Sequence, residues 1–313
     1  MRGPQRFRME GLPDRVTIYE VGPRDGLQNE ATIVPVAVKA EFVRRLADAG
    51  LSVVEATSFV RPEWVPQLAD AAELLDTVER RDGVRYPVLV PNERGLDRAL
   101  EAGVDEVAIF GSATESFARR NLNRSVDESI AMFAPVAGRA LAAGVRVRGY
   151  LSMCFGDPWE GEVSVDQVVD VSQRMLALGC AELSMGDTIG VGTPGHVVAL
   201  LDALGAAGVR ADQLAVHFHD TYGQALANTL AALRWGITVV DASAGGLGGC
   251  PYAKSATGNL ATEDLVWLLD GLGIHTGVDL DRLVGTSQWM AAQLGRPSPS
   301  RVVQALASGG GDG

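Results

Sequence analysis

VTIYEVGPRDGLQNEATIVPVAVKAEFVRRLADAGLSVVEATS (16–58) reads as one complete strand–helix–strand unit. VTIYEVG (16–22) and SVVEATS (52–58) are short runs rich in β-branched residues. Between them, VPVAVKAEFVRRLADAG (34–50) spaces its apolar residues at helical intervals and stops at Gly50. Glycine just past a helix end supplies the left-handed cap. Two parallel strands need a crossover of this kind. The loop after the first strand decides between the two common parallel architectures. An open doubly wound sheet usually places a glycine-rich nucleotide fingerprint there, and GPRDG (22–26) is not one.

The unit then repeats. Further strand candidates are YPVLVP (86–91), EVAIFGS (106–112), VRVRGYLSM (145–153), AELSMGD (181–187), QLAVHFHD (213–220) and ITVVDASA (237–244), which makes eight. Helical stretches between them end at Gly103, Gly144, Gly179, Gly208 and Gly236. Eight β–α alternations predict an α/β fold of the (β/α)8 TIM-barrel type. A glycine-rich loop, GGLGGCPYAKSATGN (245–259), and extra C-terminal helices at about 262–272 and 279–294 come after the eighth strand. No linker interrupts the pattern. The expectation is a single barrel domain over 15–300, with flexible termini at 1–14 and 307–313.

Composition limits the partners. Hydrophobic residues make up 47% and charged residues 21%, ordinary values for a globular chain. A net charge of −12 argues against nucleic acid and anionic membranes, both of which need a basic surface. It leaves room for an anionic small ligand held by local arginines. Cys154, Cys180 and Cys250 show no CxxC spacing, which suits a reducing compartment and a cytoplasmic location. No apolar stretch reaches the length of a membrane span. The N-terminal MRGPQRFRMEGLPD lacks the apolar core of a secretory signal.

In such a barrel the chemistry sits at the C-terminal strand ends. Arg24, Asp25 and Gln28 come after the first strand; Glu55 and Ser58 belong to the second. Arg148 and Tyr150 end the fifth, Ser184 and Asp187 the sixth, His217 and His219 the seventh. Residues two apart on a strand face the same way, so the two imidazoles share one face. With Asp25 they form a mixed nitrogen and oxygen set that accepts Mg2+, Mn2+ or Zn2+. Asn259, after the eighth strand, is placed to be a fourth ligand. Glu55 within an apolar strand needs a partner, because burying an unpaired charge is costly. Arg24 beside Asp25 also reads as a loop salt bridge, and Asp187 also reads as a helix cap. Cys250, between Gly249 and Pro251, reads as a thiol over the mouth.

The motifs EVGPRDGLQNE (20–30), AGLSVVEATSFV (49–60), LSMGDTIGVGTPG (183–195), AVHFHDTYGQALANTL (215–230) and AGGLGGCPYAKSATGNLATEDL (244–265) make the chain resemble the hydroxymethylglutaryl-CoA lyases. These stand within a wider set of TIM-barrel metallolyases that includes isopropylmalate synthase. The resemblance runs from about residue 15 to about 300. It implies cleavage of 3-hydroxy-3-methylglutaryl-CoA to acetyl-CoA and acetoacetate, in leucine degradation and ketone-body formation. It implies metal ligands at Asp25, His217, His219 and Asn259, and catalytic roles for Arg24, Asp25, Glu55, His217 and Cys250. Substrate contacts would come from Arg24, Gln28, Ser58, Asn121, Arg148, Tyr150, Ser184 and Asp187. A homodimer and a CoA thioester partner come with it. Ala31 stands where relatives often carry Lys, and Asp157 where they often carry Cys. The competing readings are a Claisen-type acyltransferase, a lyase for longer 3-alkyl chains, and a non-catalytic CoA or metal sensor. The first usually carries a further C-terminal domain, for which little sequence remains after the barrel here.

Overall fold

Each apolar run becomes a strand, and all pair in parallel. The computed structural model describes residues 3–249 and 258–308. Its strands are β1 (Thr17–Glu20), β2 (Val53–Val54), β3 (Thr57–Ser58), β4 (Val88–Leu89), β5 (Glu106–Ser112), β6 (Arg146–Ser152), β7 (Glu182–Asp187), β8 (Leu214–Phe218) and β9 (Val239–Ala242). The eight sequence runs yield nine segments because 52–58 is interrupted. Val53 faces Arg85 and Thr57 faces Val88, so four residue steps oppose three and the extra residue forms a bulge at Glu55–Ala56. Pro87 lies opposite the bulge and has no N–H to donate back to the ladder.

The interruption does not open the sheet. The strand order is β2-β1-β9-β8-β7-β6-β5-β4-β3, and its two ends are the two halves of one segment. Glu55 N–H donates to Glu20 O, while Val54 and Ala56 N–H groups donate to Arg85 and Pro87 carbonyls on the other side. One segment thus bonds both neighbours, and the sheet closes into a TIM-barrel-like cylinder of eight staves.

Helices cover its outside. Val36–Asp48 buries Phe42, Val43 and Leu46 at helical spacing. Gly50 behind it has φ +95, and a Cβ there would lie 2.2 Å from the Gly277 carbonyl oxygen, so no other residue fits. After β9 come Thr262–Gly271 and Leu280–Leu294, close to their expected bounds. A third helix, Arg301–Ser308, comes next, which the apolar spacing did not reveal. Asp264 holds its start through the N–H groups of Arg301 and Val302. No helix among the described residues is long and apolar enough to cross a membrane.

The barrel interior is charged where aliphatic layers are usual. Arg148, on β6, is fully buried and bonds Glu182 of β7 and Asp241 of β9. Its guanidinium lies 3.9 Å from the Tyr19 ring centre and 4.7 Å from that of Tyr150. Below it, Glu106 takes Arg85 and the Tyr19 hydroxyl. Buried ion pairs of this kind depend on complete pairing, since a lone buried charge is strongly destabilising.

Candidate active site

The first loop presents its two charged residues on a single π-helical turn, Gly22–Gly26, in which Asp25 and Gly26 N–H groups both return to Val21 O. Such turns recur at functional sites. The turn aims Arg24 across the barrel mouth. Its Nε donates to Glu55 Oε2 at 2.7 Å and its Nη1 to Asp25 Oδ1 at 2.7 Å. The guanidinium sits 5.1 Å from the Tyr150 ring centre, and the Tyr150 hydroxyl donates to Glu55 Oε2 at 3.0 Å. Glu55 is therefore the buried partnered carboxylate its strand context required.

Asp25, His217 and His219 each bring one ligand atom within 4.8 Å of the others. The segment after the glycine-rich loop completes the set. Asn259 forms an isolated bridge to His219, and its Nδ2 donates to Asp25 Oδ2 at 2.8 Å and to Leu247 O at 3.1 Å. Gly248 makes room for that carboxamide: a Cβ at 248 would lie 2.6 Å from Asn259 Nδ2. Asn259 Oδ1 and His219 Nδ1 are buried with no hydrogen-bond partner among the described residues. Orphaned buried acceptors are costly, and a cation would satisfy the carboxamide oxygen. The donor set, one carboxylate, two imidazoles and one carboxamide, fits a divalent ion of the Mg2+, Mn2+ or Zn2+ kind.

The electrostatics agree. Burial pushes the Asp25 carboxyl up, but Arg24 and then His217 hold it down to about 2, so it is an anion at any working pH. Burial, with His217 next in weight, lowers His219 to about 4, which leaves it neutral as a ligand must be. Burial also depresses His217, yet its bond to Asp241 raises it overall.

These groups open onto a cavity of about 410 Å3, lined also by Gln28, Asn121, Tyr150 and Ser184. A larger cleft of about 870 Å3 between 59–64 and 92–98 contains none of the cluster. Three expected substrate contacts do not line the 410 Å3 cavity. Arg148 was expected at a strand end, but β6 runs on to Ser152, so Arg148 sits about two residues, or ~6.6 Å, below Tyr150. Asp187 is buried, and its carboxylate accepts the Val191 and Gly192 N–H groups of its own loop; burial raises it to about 6. Ser58 is buried, and its hydroxyl has no hydrogen-bond partner among the described residues. Cys250 lies outside the described residues.

Asp241 was not anticipated. It is buried on β9, with Oδ2 3.3 Å from His217 Nδ1 and 2.7 Å from the Ser184 hydroxyl. The signal was available: ITVVDASA carries a carboxylate inside an apolar strand, as VVEATS does. Two more buried acids support the rim. Glu20 accepts the Gly22 and Ala244 N–H groups, and Glu263 accepts the Gly245 N–H and the Ser287 hydroxyl.

Burial raises Glu263 from 4.5 to about 8. Between those values the folded protein keeps a proton that the unfolded chain releases. The contribution of Glu263 to stability is therefore full below about 4.5 and is lost as pH rises through about 8. Glu263→Gln should remove its share of the decline in Tm between pH 5 and 8.5, making the slope shallower by calorimetry, with Glu20 and Asp187 supplying the rest. An unchanged slope would show that this acid is not the source.

The groups converge where barrel enzymes carry out their chemistry, so fold and site define a TIM-barrel enzyme with a candidate metal centre. The chain belongs to the HMGL-like family, whose model matches residues 15–290. It is 55% identical over 297 residues to the mitochondrial hydroxymethylglutaryl-CoA lyase of Arabidopsis thaliana, covering 95% of this chain. The chain spans 63% of that relative's length. Identity to the mitochondrial hydroxymethylglutaryl-CoA lyase of Rattus norvegicus is 53% over 305 residues, 97% of this chain and 94% of that one. The crystal structure of hydroxymethylglutaryl-CoA lyase from Pseudomonas aeruginosa superposes with a TM-score of 0.93 at 50% identity, covering 96% of this chain and 99% of that one.

Proposed function

We propose that this protein is a divalent-metal-dependent lyase that cleaves 3-hydroxy-3-methylglutaryl-CoA to acetyl-CoA and acetoacetate. The observation that carries the reading is the meeting of Asp25, His217, His219 and Asn259 beside Arg24 at one barrel mouth. Asp25, His217, His219 and Asn259 would hold Mg2+ or Mn2+, with Zn2+ as the other candidate. A bound divalent ion supplies Lewis acidity, which lowers the pKa of a hydroxyl on the substrate.

The rest falls to the side chains. Cleavage removes the C3 hydroxyl proton, breaks the C2–C3 bond and leaves its electron pair as a thioester enolate. Asp25, held at about 2, is deprotonated and so available to a cation, and it accepts a proton only from an acidified alcohol. Arg24 is the fixed cation for the enolate oxygen. Two of its nitrogens are taken by Glu55 and Asp25, which sets the plane of the guanidinium and presents its remaining edge to a ligand. Tyr150 and Glu55 hold that plane from below. Gln28, Asn121 and Ser184 supply polar contacts along the wall. The reading gives protonation of the enolate carbon to Cys250. It also carries a homodimer, checked by sedimentation velocity. The location proposed is the cytoplasm; the free thiols of Cys154 and Cys180 fit a reducing compartment.

The test is a coupled assay for acetoacetate over a series of 3-hydroxy-3-alkylglutaryl-CoA thioesters. Release from the methyl compound should disappear with chelator and return with Mn2+ or Mg2+. No acetoacetate from a folded, metal-loaded preparation would refute the reading. Preference for a longer alkyl branch would move it to a sister substrate.

A further inference from the structure

We propose that Asp241 is a positioning residue that fixes the tautomer of His217, and that Arg148 serves the site by holding Asp241 rather than by touching substrate. The inference rests on the metal reading above and adds a component to it.

Asp241 is fully enclosed on β9, inside the barrel. Arg148 Nη2 donates to its Oδ1 at 2.6 Å and Nη1 reaches its Oδ2 at 3.2 Å. The Ser184 hydroxyl donates to Oδ2 at 2.7 Å. Arg148 is itself anchored by its Nε on Glu182 at 2.8 Å. The carboxylate plane is thus set by donors from β6 and β7. The remaining neighbour of Oδ2 is His217 Nδ1 at 3.3 Å, on β8. The ring is steadied from another side by Tyr150, edge-on at 89° with centres 6.4 Å apart.

A carboxylate holding a guanidinium and a hydroxyl can only accept. If Nδ1 carried a lone pair, it would face an oxygen lone pair in a dry interior. If Nδ1 carries the proton, the contact becomes a charge-assisted hydrogen bond. That leaves the lone pair on Nε2, the other ring nitrogen, as the atom His217 would offer to the cluster with Asp25 and His219. Imidazole ligands are commonly oriented this way by an outer partner, whose loss costs about 10–100-fold in metal affinity. Arg148, with none of its surface exposed, then has a function without access to a ligand.

The test uses the full-length protein. In the wild type, two-bond 1H–15N spectra of metal-free protein at a pH where the ring is neutral should show His217 protonated at Nδ1. Protonation at Nε2 would overturn the proposal without any mutant. Asp241→Asn should then weaken Mn2+ binding by about 10–100-fold, read by calorimetric titration. Glu182→Gln is the control: it loosens the same arginine but leaves Asp241 beside His217, so its loss of Mn2+ affinity should be clearly smaller than that of Asp241→Asn. Equal losses in both variants would show that the network is merely structural. Wild-type-like binding by Asp241→Asn would sink the inference and leave the lyase reading standing. A wild type that binds no Mn2+ would take down both.

Discussion

Arg24→Gln is expected to lower kcat/KM by at least about 10²–10³-fold, the usual consequence of losing one preorganised donor at a developing oxyanion. Glutamine is neutral and too short to reach the same point. The four proposed ligands remain, so Mn2+ should still bind. Stability is a separate matter. On residue type alone the variant would be expected to fold nearly normally. The geometry says otherwise, because Glu55 has no exposed surface and Arg24 is its only cationic hydrogen-bond partner among the described residues. Breaking such a pair typically costs about 3–5 kcal/mol. Burial already raises the Glu55 carboxyl despite Arg24, so the variant should take up a proton there. Adding Glu55→Gln should restore much of the Tm and none of the turnover. Near-normal turnover in the single variant would remove Arg24 from the mechanism.

His219→Ala should do the reverse. It removes a ligand outright, so Mn2+ affinity should fall by more than the ~100-fold upper figure for outer-shell partners, with acetoacetate release lost. The metal-free fold should barely change, since His219 Nδ1 has no hydrogen-bond partner among the described residues. Calorimetric titration beside a thermal melt separates the two variants: one keeps the ion and loses stability, the other loses the ion and keeps stability. Wild-type Mn2+ affinity in His219→Ala would end the case for the four-ligand cluster.

Much of the site was legible because polar residues stand out at the ends of apolar runs. Glu55 announced itself by interrupting VVEATS, and the pair in VHFHD by its spacing of two. Asp241 carried the same signal in TVVDAS and stands level with His217, one residue from the end of its strand, but its side chain is fully enclosed and reaches the site only through His217. Arg148 was placed too high because strand length cannot be read to within two residues from VRVRGYLSM alone. Asp157, noted only as a departure, is buried and accepts the Thr114 hydroxyl and the N–H groups of Trp159 and Glu160. Its bond to Thr114 joins residues more than forty positions apart, which no local pattern reveals.

By itself the chain determined its strand and helix alternation, the count that closes a barrel, and which side chains stand near the mouth. These depend on periodicity and on glycine stops, which are local properties. The folded molecule alone decided that 52–58 bulges yet closes the cylinder, that the interior is a ladder of ion pairs, and that Arg148 points into it. Each of those depends on what lies across the barrel, tens to hundreds of residues away in sequence. Only the closed sheet brings such groups within reach of a hydrogen bond.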